Sequence, residues 1–212
     1  YLSNLTKVGF VPTMGALHEG HISLVRKSIE NQPFTVASIF VNPTQFNNQE
    51  DFDKYPVDTE RDLEMLKSAG CNLVFLPSKE EMYPAENDEK YIHDFGDLEN
   101  KYEGAFRPGH FRGVGQIVHK LFEAVNPTTA YFGEKDFQQV QVIRKLVELI
   151  EFPIEIIALP TVRESDGLAM SSRNRRLSEE HRKASLILYQ ALSFAQKHLN
   201  NATPNAIRNH VA

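Results

Sequence analysis

Five short apolar runs alternate with helical patterns along this chain, and this alternation constrains the fold more than any other feature. The apolar runs, each with turn residues nearby, lie at 8–11, 36–41, 73–76, 130–132 and 154–159. Between them, apolar residues recur at spacings of three and four at 22–29, 59–69, 114–125 and 140–150. Short apolar runs are typical of strands covered on both faces, and the three-and-four spacing is typical of helices. The order predicts an α/β fold, a Rossmann-like parallel sheet with helices on both faces.

The strand pattern stops near Pro160, and only loop and helix signals follow. We therefore expect a Rossmann-like domain over residues 1–160 and a smaller C-terminal domain over residues 161–212. In the second segment, Ser178 is followed by two glutamates, which is typical of a helix N-cap with an acidic first turn. This pattern predicts one long helix that continues to about Leu199.

Composition limits the classes of partner. The 212 residues are 41% hydrophobic, which is enough for a substantial core. A net charge of −5 argues against broad binding of nucleic acid or of anionic membranes, since both need a basic face. The single cysteine, Cys71, cannot form an internal disulfide, and the chain starts without a charged-then-apolar leader. We expect a cytoplasmic protein with no nucleic-acid or membrane partner.

A histidine pair follows the first apolar run. His18 and His21 come after a turn that contains Gly15, and a helix is expected to open near Gly20. Free backbone N–H groups and the dipole at a helix N-terminus favour anions, so the pair indicates a phosphate site. Metal binding is the weaker interpretation, because zincin helices carry histidines at i and i+4 and here the spacing is i+3. A surface pair without function stays open on these residues alone.

Two later segments carry cations and hydroxyl groups. Lys135 and Asp136 follow a predicted strand, at the same edge of the sheet as the histidines, and the segment 170–174 follows a turn at Asp166 and Gly167. Three such segments suggest a nucleoside triphosphate held at the carboxyl edge of the sheet. A solvated charged turn at Lys135 and a serine that only caps a helix remain the alternatives for these two segments.

Four segments together resemble the pantothenate synthetase family. They are 14–21, 40–46, 132–139 and 167–174, and they occur in the family's order with similar gaps, within a match from about Val8 to Leu177. The wider family is the nucleotidyltransferase superfamily, whose HIGH and KMSKS motifs correspond to the histidine pair and to residues 170–173. A serine stands where the second motif has its first lysine.

The resemblance implies a ligase that works in two steps. Pantoate would attack the α-phosphorus of ATP to give pantoyl adenylate and pyrophosphate, and the amine of β-alanine would then displace AMP to give pantothenate. The implied partners are pantoate, β-alanine and ATP, with ATP as a substrate, Mg²⁺ as the metal and a homodimer as the assembly. The sequence suits this chemistry, because positioning and charge stabilisation supply the rate without a covalent nucleophile.

The resemblance also assigns roles to individual residues. His21, His18 and Lys135 are the implied catalytic residues, with His21 as the proton donor. Gln45 and Gln139 are expected to bind pantoate, Gln45 also β-alanine, and Asp62 is expected to lie near magnesium. The implied ATP-binding residues are Met14, Gly15, Ala16, Leu17, His18, Glu19, Gly20, His21, Gly133, Glu134, Lys135, Asp136, Val162, Met170, Ser171, Ser172 and Arg173.

Other expectations and alternatives complete this interpretation. Arg107 and His110 match a loop that approaches the active site in the family. Relatives have a helix before Val8 and several dozen residues after Ala212, so the smaller domain is expected to be incomplete here. Another adenylate- or cytidylate-transferring enzyme, a metal hydrolase and a non-catalytic nucleotide sensor remain open as functions.

Overall fold

The computed structural model describes residues 7–84 and 89–211. Its centre is a parallel five-stranded sheet with the strand order β3-β2-β1-β4-β5. The strands are β1 (Gly9–Thr13), β2 (Thr35–Ile39), β3 (Leu73–Phe75), β4 (Thr129–Gly133) and β5 (Glu155–Leu159). Each coincides to within a few residues with one of the five apolar runs, so the predicted α/β fold is confirmed.

Ten α-helices and five short 3₁₀ helices connect or follow these strands in the described ranges. The α-helices are α1 (Glu19–Asn31), α2 (Gln49–Asp53), α3 (Thr59–Ala69), α4 (Lys79–Met82), α5 (Glu103–Phe106), α6 (His110–Val125), α7 (Phe137–Leu149), α8 (Glu179–Ala184), α9 (Leu186–His198) and α10 (Pro204–Val211). The 3₁₀ helices are Pro43–Gln45, Glu89–Tyr91, Gly96–Glu99, Glu134–Asp136 and Ser172–Arg176. No helix in these ranges is long and apolar enough to cross a membrane.

The helices cover both faces of the sheet because side chains alternate along each strand. Val11 of β1 packs in one apolar cluster with residues of α1 and α3, such as Val25 and Leu66. Its neighbour Phe10 points the other way, into a larger cluster with residues of α6 and α7, such as Phe122. The sheet is therefore buried on both sides, as the continuous apolar runs indicate.

The order of the strands places a topological switch point between β1 and β4. From β1 the chain adds β2 and β3 on one side and then crosses to β4 and β5 on the other, and β1 pairs directly with both β2 and β4. Loops that leave β1 and β4 at their carboxyl ends turn in opposite directions, and open α/β sheets bind ligands at this point. The segment that carries His18 and His21 follows β1, and the segment that carries Lys135 follows β4.

The chain divides into two compact units after Pro160. In the second unit, the single helix expected from Ser178 is instead two helices, with a break at Ser185. The Ser185 hydroxyl donates to the carbonyl oxygen of His181 at 2.7 Å, and the Leu188 N–H donates to the Ser185 carbonyl three residues earlier. A serine that bonds back onto its own helix competes with the regular ladder, which accounts for the interruption.

Candidate active site

The loop between β1 and α1 is held by acceptors from within the protein. The N–H groups of Ala16 and Leu17 donate to the two carboxylate oxygens of Asp62, both at 2.7 Å, and Gly15 N–H donates to the Thr13 hydroxyl at 3.2 Å. The sequence predicts a phosphate site at the helix N-terminus near Gly20, and these three N–H groups precede it. Asp62 and Thr13 already accept from them.

The two histidines cap the helix that follows. His18 is the N-cap of α1, and its Nδ1 accepts from the Gly20 N–H at 3.1 Å. Three residues on, Nδ1 of His21 accepts from the backbone N–H of His18 at 3.3 Å, which completes a reciprocal capping box. A neutral imidazole that accepts at Nδ1 carries its proton on Nε2. Both rings therefore present an Nε2–H donor, and their centroids lie 4.1 Å apart.

His21 is neutral in this arrangement. Burial, with smaller contributions from His18 and from the positive charge of Lys135, lowers the pKa of His21 to about 3. Lys135 follows β4 in the 3₁₀ helix Glu134–Asp136, and its ammonium lies 2.6 Å from a carboxylate oxygen of Asp136. The positive charge of Lys135, which follows β4, thus acts on His21, which follows β1.

Gln45 lies beside the histidine loop, at the end of the next strand. It is buried in the 3₁₀ helix that follows β2, and its amide nitrogen contacts the sulfur of Met14. Its backbone carbonyl accepts from Nδ1 of His110 at 2.7 Å, and Nε2 of the same ring accepts from Arg107 at 3.1 Å. Arg107 and His110 therefore support the segment that carries Gln45.

Asn42 and Gly113 position Gln45 and were not singled out in the sequence. Asn42 is 1% exposed, and its amide nitrogen donates to Gln45 Oε1 and to the carbonyl of Gly113. A Cβ on Gly113 would lie 2.4 Å from the Thr44 carbonyl oxygen, so only glycine lets α6 approach this turn so closely. The available signal was a polar residue, Asn42, placed directly after the apolar run at 36–41.

Gln139 is half-buried in the first turn of α7, which begins one residue after Asp136. Its neighbour Gln138 has a different role, because its amide nitrogen donates to the carbonyls of Leu98 and Lys101 and its oxygen accepts from Glu103 N–H. Gln138 thus fastens the segment before α5 to α7. The pantoate role of Gln139 stays a prediction.

The predicted ATP-binding residues beyond Pro160 lie in the second unit. Met170 N–H donates to the Val162 carbonyl at 3.0 Å, in the turn that pairs Arg163 with Ala169. Ser171 is the N-cap of the 3₁₀ helix Ser172–Arg176, and its hydroxyl accepts from Arg173 N–H at 3.3 Å. Ser171 therefore caps a helix, which is the alternative that the sequence left open for this segment. Contact of the segment with ATP stays a prediction.

The contacts of Asp62 do not fit the predicted place near magnesium. The side chain is 1% exposed, and each of its oxygens lies 2.7 Å from a backbone nitrogen. A hard cation needs oxygen ligands that are open to it. Among residues 7–84 and 89–211, no three His, Cys, Asp or Glu side chains are grouped so that they could hold a metal ion.

Comparison with known proteins shows the family. The family model described as pantoate-beta-alanine ligase matches residues 2–212. Pantothenate synthetase from Thermoanaerobacter sp. (strain X514) is 56% identical over 205 residues, which cover 94% of this chain and 70% of that protein. The Bacteroides fragilis enzyme (strain ATCC 25285) of the same name is 50% identical over 210 residues, 97% of this chain and 74% of its own length.

Solved structures agree. Pantothenate synthetase from Thermus thermophilus superposes with a TM-score of 0.88 at 49% identity, covering 93% of this chain and 72% of that one. Pantoate-beta-alanine ligase from Francisella tularensis, described as complexed with beta-gamma ATP and beta-alanine, gives 0.87 at 39% identity, covering 99% and 79%. The resemblance found in the four sequence segments is confirmed. The chain belongs to the pantoate-β-alanine ligase family.

Proposed function

We propose that this chain joins pantoate to β-alanine at the expense of ATP, through a pantoyl-adenylate intermediate, and releases AMP and pyrophosphate. One observation carries the proposal within the described residues: His18 and His21 lie side by side at the start of α1, the charge of Lys135 after β4 acts on His21, and Gln45 contacts Met14 of the loop before α1. Donors suited to a phosphate thus lie beside an amide suited to a hydroxy acid.

In the first step, a carboxylate oxygen of pantoate forms a bond to the α-phosphorus of ATP. The bond from that phosphorus to the bridging oxygen breaks, and pyrophosphate leaves with the electron pair. Negative charge is carried on the α-phosphate oxygens as this happens. The Nε2–H donors of His18 and His21 and the charge of Lys135 stabilise it, since fixed donors act most strongly where charge develops.

This mechanism changes the role implied for His21. With its pKa near 3, the ring does not hold a second proton at neutral pH, so it is not a general acid in the usual sense. It acts instead as a neutral hydrogen-bond donor whose orientation is fixed by the His18 backbone. No proton has to leave His21 in the adenylation step, because pyrophosphate departs as an anion.

In the second step, the β-alanine amine attacks the acyl carbon of the adenylate. The acyl–oxygen bond breaks, AMP leaves as an anion, and the amine gives a proton to solvent. Gln45 and Gln139 hold the pantoyl group, through neutral donors and acceptors that suit its hydroxyl groups. Magnesium is expected to accompany the triphosphate, but the contacts of Asp62 do not fit a ligand for it, and no step is assigned to the metal.

Two further proposals concern the whole protein and rest on the sequence. The family resemblance implies a homodimer, and the lone cysteine suits a reducing cytoplasm. Light scattering on the purified protein tests the assembly, and fractionation of the source cells tests the location.

Pyrophosphate exchange tests the proposed function. The protein should exchange labelled pyrophosphate into ATP with pantoate and without β-alanine, because the first step needs only ATP, magnesium and the acid. Lactate and acetate should fail, since a site built to bond hydroxyl groups rejects analogues that lack them by about 10⁴ or more. Addition of β-alanine should convert the exchange into net release of AMP.

The alternatives give different results in the same assay. A nucleotide sensor would bind ATP without any exchange, and another adenylate-forming enzyme would exchange with a different acid. The Thermus thermophilus pantothenate synthetase, assayed in parallel, shows that the conditions support the reaction. Exchange by that enzyme but none by this protein with pantoate would contradict the proposal.

A further inference from the structure

Asp62 is a buried carboxylate that holds backbone rather than a side-chain cation. It is the fourth residue of α3 and is 1% exposed. Oδ2 accepts from the Ala16 N–H and Oδ1 from the Leu17 N–H, both at 2.7 Å. Bonds of this length from an N–H to an ionised acceptor are among the stronger hydrogen bonds in proteins. A helix far along the sequence thus fixes two consecutive peptides of the histidine loop.

These peptides belong to an unfavourable backbone conformation. Gly15 and Ala16 have φ values of +80° and +49°, both in the left-handed region. For alanine this conformation costs roughly 1–2 kcal/mol, and it persists only where its surroundings determine it. Successive N–H groups in such turns converge to form an anion-binding concavity. In this chain the anion in the concavity is the Asp62 carboxylate.

The turn decides where the histidines lie. Leu17 is completely buried in the cluster between α1 and the sheet, and His18, the next residue, is the N-cap of α1. A shift of the Ala16 and Leu17 peptides therefore moves the N-cap and, through the capping box, both imidazoles. Displacements of about 1 Å in a reacting geometry can cost about 10²-fold in rate.

We propose that Asp62 is a positioning residue for the ligase reaction, which clamps the Gly15–Leu17 turn and so aims His18 and His21 at the α-phosphate. It touches no substrate and acts only through the backbone of the loop. This inference rests on the proposed function.

Asp62→Asn tests the inference with little change in volume. An amide has one acceptor oxygen, so one of the two loop N–H groups would face an NH₂ group. We expect kcat for pantoate-dependent exchange to fall at least about 10-fold while the pantoate KM changes less than about threefold. Amide hydrogen exchange at Ala16 and Leu17 should become faster. Asp58→Asn is the matched control, because it removes the same charge from the N-cap of α3, and asparagine caps equally well.

A magnesium test separates the clamp from the predicted metal role. Raising Mg²⁺ should not restore the Asp62→Asn exchange rate, whereas recovery at high Mg²⁺ would show a metal ligand and overturn the proposal. An Asp62→Asn protein with the activity and amide protection of the Asp58→Asn control would also overturn it.

Two measurements on the unmodified protein guard against a variant that does not fold. The amide protons of Ala16 and Leu17 should exchange slowly although they lie in a loop, and rapid exchange there would overturn the clamp. Absence of pantoate-dependent exchange in the unmodified protein would contradict the proposed function itself. Normal pyrophosphate exchange together with rapid hydrogen exchange of the Ala16 and Leu17 amides would contradict only the clamp.

Discussion

At the residue scale, the histidine pair shows how one motif serves structure and chemistry together. Each Nδ1 accepts from a backbone N–H, so the same bonds that start α1 also place the ring protons on Nε2. A histidine N-cap is uncommon, because Ser, Thr, Asp and Asn are the preferred residues. The use of an imidazole there is explained by the donor it presents on its far side.

We expect His21 to remain neutral well below pH 6. Nitrogen NMR on the folded protein at about pH 5 should show a ring protonated only on Nε2, because burial holds the pKa of His21 near 3. The urea-unfolded chain supplies the control, with His21 titrating near the usual 6.5. A charged His21 in the folded protein at that pH would contradict the assignment.

The same pKa difference makes stability depend on pH with a definite sign. The folded-state pKa of His21 lies below its unfolded value, so protonation favours the unfolded chain. The contribution of neutral His21 to the free energy of unfolding is complete above pH 6.5 and is lost as the pH falls toward 3. Between about pH 7 and about pH 5 the loss is on the order of 1–2 kcal/mol, and urea titrations should find a smaller loss in His21→Gln.

At the element scale, hydrophobic periodicity predicted most of the architecture. The apolar runs located all five strands, and α3 was predicted with the bounds that the structure shows, Thr59–Ala69. Short helices such as α4 were not predicted, because four residues do not display a period. The break at Ser185 was missed for a different reason, since a hydroxyl bonded to its own helix leaves the apolar pattern unchanged.

The residues of the candidate site could be predicted from the sequence better than the contacts that these residues make. His18, His21, Lys135 and Gln45 stand out as polar residues after strand ends. The acceptor of the loop N–H groups could not be predicted, because Asp62 lies 46 residues from Ala16 and only the fold brings them together.

The β1–α1 loop leads to a prediction about Gly15. A Cβ there would lie 2.9 Å from Oδ2 of Asp62 and 3.0 Å from Cγ2 of Ile39, at a φ of +80°. Gly109→Ala is the matched control, since Gly109 has a φ of +79° and no described atom within 4 Å of a Cβ. Both variants should lose about 1–2 kcal/mol from backbone strain. Gly15→Ala should lose about 1–3 kcal/mol more of its free energy of unfolding, because the new Cβ crowds Asp62 and Ile39. Urea unfolding measures both losses. Equal losses in the two variants would show that the neighbouring side chains move aside at no cost.

At the scale of the whole molecule, the apolar cores belong to the first unit. Both buried clusters and the residues packed on them lie between Val8 and Leu159. In the second unit, Leu168 is the one large apolar side chain among the described residues that is buried, while α9 exposes Ile187 and Leu192 by more than 60%. Stability is therefore concentrated before Pro160, where apolar area is removed from water.

We therefore expect a chain that ends after Pro160 to fold by itself. It should unfold cooperatively in urea, with an m-value of roughly three quarters of that of the full chain, because m scales with the surface exposed. Its pantoate-dependent exchange should be lost, since the resemblance assigns Ser171, Ser172 and Arg173 of the second unit to ATP. Arg173→Ala in the full chain is the control that removes one of these groups while leaving both units in place.

A shortened chain without a cooperative transition would contradict the concentration of stability in the first unit. One that folds and still exchanges pyrophosphate at the full rate would contradict the ATP assignments beyond Pro160.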